Sequence, residues 1–169
     1  MKNTYVNRKT YSRIVKELTT IANANGFRVK IYYRPMNWNR YGGGVPSMGE
    51  VRGYFEYATR KAIVVTRYPG VGRARVLHIL AHEVRHSIHY TQGLYAGYYT
   101  HAKITPKQLK KMKKHELPSL KTAHAAELDA DRWAEEYLLG NGIRISFPRY
   151  ESSRTPVAGL HRRWRDLQP

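Results

Sequence analysis

The chain has 169 residues, 41% of them hydrophobic, which is enough for the core of one domain without disulfides or a second subunit. It contains no cysteine, which excludes disulfide frameworks, thiol nucleophiles and thiolate-ligated zinc, so any zinc must be held by His and carboxylate side chains. The 30 Lys and Arg against 12 Asp and Glu give a formal net charge of +18. Such a charge favours DNA, RNA or acidic protein surfaces as partners, and it fits a general solubility bias equally well.

The N-terminal segment, residues 1–11, is polar and basic and has no apolar run of signal-peptide length. No later segment reaches the apolar length that spans a bilayer. We therefore expect a soluble, cytoplasmic protein without a membrane partner, with association with a virion as an alternative location.

Apolar residues recur at helical spacing over residues 11–25 and predict a first helix that ends at Asn25-Gly26. Residues 27–33 then alternate apolar and polar side chains, which is the period of a half-buried strand. Two more strands are predicted over residues 53–57 and 62–66. Together they make a small three-stranded sheet, antiparallel or mixed.

A second helix is predicted over residues 73–90, where apolar side chains again recur at helical spacing and Gly93 provides a terminator. After Pro118, residues 119–139 are rich in Ala, Leu and Glu and predict a third main helix. The fold class expected is therefore α+β, with the sheet packed on the N-terminal helix and the two later helices. We assign residues 1–142 to this domain and residues 143–169 to a basic C-terminal arm.

Two basic segments are candidate contacts to nucleic acid or another polyanion. Thr105-Pro106 opens a short predicted helix whose four lysines share one face, either as an anion-docking ridge or as a solvated surface. The C-terminal arm is rich in arginine. The candidates are Lys107, Lys110, Lys111, Lys114, Arg162, Arg163 and Arg165.

The second helix carries the pattern His-Glu-x-x-His at residues 82–86. Positions four apart lie on one face of a helix, so His82 and His86 can offer two imidazole nitrogens to one cation. Glu83 lies beside them, where a carboxylate can take a proton from a metal-bound water. The sequence thus predicts a catalytic zinc site with Glu83 as the general base.

A catalytic zinc needs a third protein ligand, and the third helix offers Glu127 and Asp131, again four residues apart. We predict Glu127 as the ligand and Asp131 as the acceptor of a hydrogen bond from a ligating imidazole. His124 is the rival third ligand, whereas Asp129 faces away. His78 and His89 line the cleft or pack as polar neighbours. The oxyanion donor stays open, and the candidates are Tyr90, Tyr98, Tyr99, His101 and His124.

Residues 77–89, LHILAHEVRHSIH, resemble the zinc helix of the ImmA/IrrE-type metallopeptidases. Residues 127–134, ELDADRWA, followed by YLL at 137–139, resemble the acidic helix of the same family. The resemblance covers roughly residues 11–139 and implies a gluzincin-type peptidase with a minimal zincin fold. It implies one zinc ion held by His82, His86 and Glu127, and DNA-binding repressor proteins as the substrate class.

Three features depart from the family pattern. Arg85 replaces a residue that is commonly small, the stretch between the site helices is long and lysine-rich, and Gly140-Asn141 replaces the usual Met-Pro. These departures bear on the substrate and leave the metal site intact. The small basic chain also resembles the SprT-like proteases, which act on proteins attached to DNA, but those use a third His as the ligand.

The expected function is hydrolysis of a peptide bond in a protein substrate, with DNA-associated and repressor proteins as the candidate substrates. The competing hypothesis is a basic nucleic-acid-binding or virion structural protein that keeps a structural or vestigial metal site. The charge supports this second hypothesis, whereas residues 82–86 support the first.

Overall fold

The computed structural model describes residues 5–32, 51–56, 61–67, 71–96 and 120–145. Within these ranges the chain forms three helices and a small sheet, which is an α+β arrangement as expected. In chain order the elements are α1 (Arg8–Ala24), β1 (Arg28–Tyr32), β2 (Val51–Glu56), β3 (Ala62–Arg67), α2 (Arg73–Gln92) and α3 (Leu120–Gly140).

Helix α1 begins three residues before the predicted start because Asn7 caps it. The Asn7 side chain accepts a hydrogen bond of 2.8 Å from the backbone N–H of Thr10, which satisfies one of the free donors of the first turn. One face of the helix is buried in the core, through Tyr11, Ile14, Leu18 and Ala22. The chain leaves the helix at Gly26, whose φ of +81° suits glycine.

The sheet is mixed, with the strand order β1-β3-β2. Strands β1 and β3 run parallel, with Val29 opposite Ile63, whereas β2 is antiparallel to β3. The antiparallel alternative is therefore wrong for the β1–β3 pair. Alternation in residues 27–33 shows which side chains face the core, but it does not determine the direction of the neighbouring strand.

Strand β3 is the central strand, and both of its faces are buried. Ala62, Ile63, Val64 and Val65 are each at most 5% exposed. This continuous apolar run is typical of a strand that pairs on both edges and is covered on both faces. The exposed alternate positions of β1, at Arg28, Lys30 and Tyr32, fit an edge strand instead.

Helix α2 lies at the centre of the fold and contacts α1, α3 and the sheet. Its apolar core includes Val76, Leu77, Leu80 and Val84, all with no exposed surface. The helix ends at Gln92, two residues beyond the predicted range, and the predicted terminator Gly93 follows it in the left-handed conformation with φ of 68°. Burial on nearly every side means that the polar residues of α2 must find partners inside the protein.

Helix α3 packs against α2 through small side chains. Ala126, Ala130 and Ala134 recur every four residues and are fully buried. Alanines at an interface let two helices approach closely. At its far end α3 is tied to α1, because the Tyr137 hydroxyl donates to Glu17 at 3.0 Å and Arg13 donates to Asn141 at 3.0 Å.

The predicted lysine helix and nearly all of the C-terminal arm lie outside the described residues, and so do all the lysine and arginine candidates for polyanion contact. Tyr98, Tyr99 and His101 lie outside them as well. Among the described residues, no helix combines the length and apolar character needed to cross a membrane.

Replacing Leu18 tests the packing of α1 on α2. Leu18 has no exposed surface, so Leu18→Ala removes buried methyl groups and leaves a cavity. We expect the free energy of unfolding to fall by about 2–5 kcal/mol, measured by urea denaturation. The exposed Lys16 on the same helix provides the control, since Lys16→Ala should change the free energy of unfolding by less than about 0.5 kcal/mol. Equal effects of the two substitutions would contradict the packing described.

Candidate metal centre

Helix α2 brings the imidazoles of His82 and His86 together on one face, one turn apart. Their Nε2 atoms are 3.0 Å apart, and the side chains are almost completely buried. The rings cross nearly perpendicularly, with centroids separated by 4.6 Å. The two Nε2 atoms are therefore directed at the same small region between the rings.

The carboxylate of Glu127 on α3 completes a group of three donors. One of its oxygens lies 3.2 Å from Nε2 of His82 and the other lies 3.4 Å from Nε2 of His86. Two ligands at zinc distances in a tetrahedral site are separated by about 3.3 Å, so the spacing suits a small metal ion. His82, His86 and Glu127 form a buried group that could hold a metal ion.

Asp131 lies behind His82, on the side away from these donors. Its carboxylate is 2.7 Å from Nδ1 of His82. A proton on Nδ1 donates to this carboxylate and leaves Nε2 directed at His86 and Glu127. Asp131 thereby selects the tautomer in which His82 can bind a metal through Nε2.

Electrostatics of the metal-free group favour a positive charge among the donors. Burial alone lowers the pKa of His82, but hydrogen bonds with Asp131 and Glu127 outweigh it and hold that pKa well above its ordinary value. Burial alone raises the pKa of Glu127, but the charges of His86 and His82 outweigh it and hold that pKa well below its ordinary value. A proton therefore occupies the group near neutral pH, and a bound cation would replace it.

Glu83 adjoins this group on α2 without belonging to the three donors. Its side chain is buried, and burial raises the pKa of its carboxyl above the ordinary value, against the opposing charges of His82 and His86. The raised pKa makes Glu83 a better proton acceptor than an exposed glutamate.

A second polar cluster, consisting of Arg85, His89 and Asp129, lies between the same two helices. Nε of Arg85 donates to Asp129 at 2.8 Å, and Nε2 of His89 contacts the same carboxylate oxygen. Burial lowers the pKa of His89 to about 4, so the neutral ring donates its proton to Asp129. This cluster explains Arg85, which pairs with Asp129 instead of facing the metal donors.

Sequence reasoning missed this cluster. Asp129 stays outside the three-donor group, and its position two residues from Glu127 turns it toward the other edge of the α2–α3 contact. The available signal was the spacing of Arg85 and His89, which are four apart and hence on one face of α2.

The remaining candidates occupy different surroundings. His78 is buried one turn before His82, and burial lowers its pKa to about 4. Tyr90 packs edge-on against Phe27, with ring centroids 5.8 Å apart. His124 lies on α3 one turn before Glu127, but its side chain is outside the described part of the chain.

No protein family, curated protein or solved structure significantly matches this chain.

Removing one donor tests the metal site. We expect the purified protein to bind about one zinc ion per chain, and His82→Ala to weaken binding by at least about 100-fold, because two donors remain. The measurement is titration with zinc against a chromophoric chelator. His78→Ala is the matched control, because it removes an equally buried imidazole from the same helix. Equal loss of zinc in both variants would contradict the assignment.

Proton release tests the role of Asp131. The raised pKa of His82 means that its imidazole is in the charged form, with a proton on both ring nitrogens, at pH 7 in the metal-free protein. Zinc binding should therefore expel about one proton per metal ion. Asp131→Asn removes the hydrogen bond that raises the pKa of His82, and proton release at pH 7 should fall. Calorimetric titration with zinc in buffers of different ionisation enthalpy measures the number of protons released by the parent and by the variant. Identical release by the parent and the variant would exclude the proposed pairing.

Proposed function

We propose that the protein is a zinc-dependent peptidase that hydrolyses a peptide bond in a protein substrate. The observation that carries this proposal is the buried group of His82, His86 and Glu127, with neighbouring donor atoms 3.0 to 3.4 Å apart and Glu83 beside it. Two imidazoles and one glutamate are a donor set typical of catalytic zinc in peptidases.

The number of donors favours a catalytic site over a structural one. Structural zinc is generally held by four protein ligands, whereas catalytic zinc keeps a position for water or substrate. Within the ranges described, three residues form the group and no fourth His, Asp or Glu joins them. The absence of cysteine removes the most frequent ligand of structural zinc sites.

In this proposal Glu83 is the general base. The chemistry that zinc supplies when bound is Lewis acidity, which makes a water acidic near neutral pH and polarises a carbonyl. Glu83 accepts the proton of the attacking water and later delivers it to the nitrogen of the leaving amine. Asp131 holds the His82 ring in position and in the required tautomer throughout.

A peptide substrate is supported by the resemblance of both site helices to the ImmA/IrrE-type metallopeptidases, and we propose a minimal zincin fold for the same reason. Strand β2 offers a second argument, because it has no neighbour on its outer edge among the described strands. An extended peptide can pair with such an edge through backbone hydrogen bonds. Strand β3 cannot serve in this way, because β1 and β2 occupy both of its edges.

The test is Glu83→Gln, which removes the proton acceptor and keeps the shape of the side chain. We expect the variant to bind zinc like the parent and to cleave at least about 100-fold more slowly. The assay incubates metal-loaded protein with a proteome-derived peptide library and reads new termini by mass spectrometry. Glu136→Gln, at an exposed position of α3, is the matched control and should cleave like the parent.

Two outcomes would count against the proposal. Cleavage by Glu83→Gln at the parent rate would refute the role of Glu83. Absence of metal-dependent cleavage in the whole library would favour a structural or vestigial metal site in a nucleic-acid-binding or virion protein.

A further inference from the structure

The outward side of α1 carries a set of basic and hydrogen-bonding side chains. We call this set the α1 outer face, and all its members are exposed: Arg8, Lys9, Ser12, Lys16 and Asn23. The opposite side of the helix is buried in the core, so its packing orients this face toward solvent.

The positive charges of the α1 outer face are not neutralised within the helix. Glu17 is the only acidic residue of α1, and its carboxylate already accepts hydrogen bonds from Arg13 and from the Tyr137 hydroxyl. Among the described residues, no ion pair involves Arg8, Lys9 or Lys16. The face therefore presents uncompensated positive charge to its surroundings.

Two of these charges lie where the helix itself disfavours them. Arg8 and Lys9 are in the first turn of α1, which has no acidic residue, and the helix dipole is positive at that end. Each such charge is destabilising at that end of the helix at low ionic strength. An anionic partner bound to the outer face would make the charges of Arg8 and Lys9 favourable.

The composition of the face fits the phosphate backbone of a nucleic acid. Arg, Lys, Ser and Asn side chains are among those that contact phosphate oxygens in protein–DNA complexes. Lys9 and Lys16 are separated by about 10 Å along the helix axis, which is too far for both to contact one phosphate group and suits contacts to two phosphates of the same backbone. The face carries no aromatic side chain on which unpaired bases could stack.

We propose that the α1 outer face binds the phosphate backbone of double-stranded nucleic acid without reading its base sequence. This binding is independent of the proposed peptidase activity, because the face shares no residue with the group around His82. It would hold the protein on nucleic acid, where proteins bound to the same duplex come within reach.

The test is the salt dependence of binding to a fluorescent 20-base-pair DNA duplex, measured by anisotropy with the full chain. Lys9→Gln/Lys16→Gln removes two phosphate contacts, so we expect weaker binding and a slope of log K against log salt reduced by about two. Circular dichroism and zinc binding should match the parent, since both residues are exposed.

Lys30→Gln/Arg132→Gln is the matched control. It removes the same charge from exposed positions on β1 and α3, and the slope should stay close to that of the parent. Equal losses in the two double variants would overturn the proposal, because binding would then follow the overall charge alone. Equal competition by polyglutamate, tighter binding of the single strand, or no duplex binding at low salt would also overturn it.

Discussion

The contact of the His82 and His86 imidazoles on α2 with the Glu127 carboxylate on α3 is the constraint on which the rest of the structure depends. Glu127 is only 6% exposed, and a buried carboxylate is strongly unfavourable unless a positive charge compensates it. His82, whose pKa is raised, provides that charge in the metal-free protein, and a metal ion would provide it in the loaded protein. The same contact therefore stabilises the helix pair and defines the site.

The fold keeps these three side chains in place from two sides. The alanines of α3 allow it to lie close to α2, while the sheet and α1 cover the opposite side of α2. The cluster of Arg85, His89 and Asp129 adds a second polar contact between the two site helices. Helix α1 contributes only its inner side to the core, and its basic outer side is exposed.

Several parts of the architecture could be predicted from the sequence because they depend on local periodicity. The helices follow from apolar spacing, and the i, i+4 spacing of His82 with His86 and of Glu127 with Asp131 places each pair on one face. The parallel pairing of β1 with β3 and the partners of Asp129 depend on how elements dock. Local alternation carries no information about that docking.

The most direct test of the metal centre is X-ray absorption at the zinc edge of protein loaded with one equivalent of zinc. We expect two imidazole nitrogens and carboxylate or water oxygen at about 2.0–2.1 Å, with one imidazole lost in His86→Ala. A spectrum without imidazole scattering, or one that is unchanged in His86→Ala, would contradict the assignment of His82 and His86 as ligands.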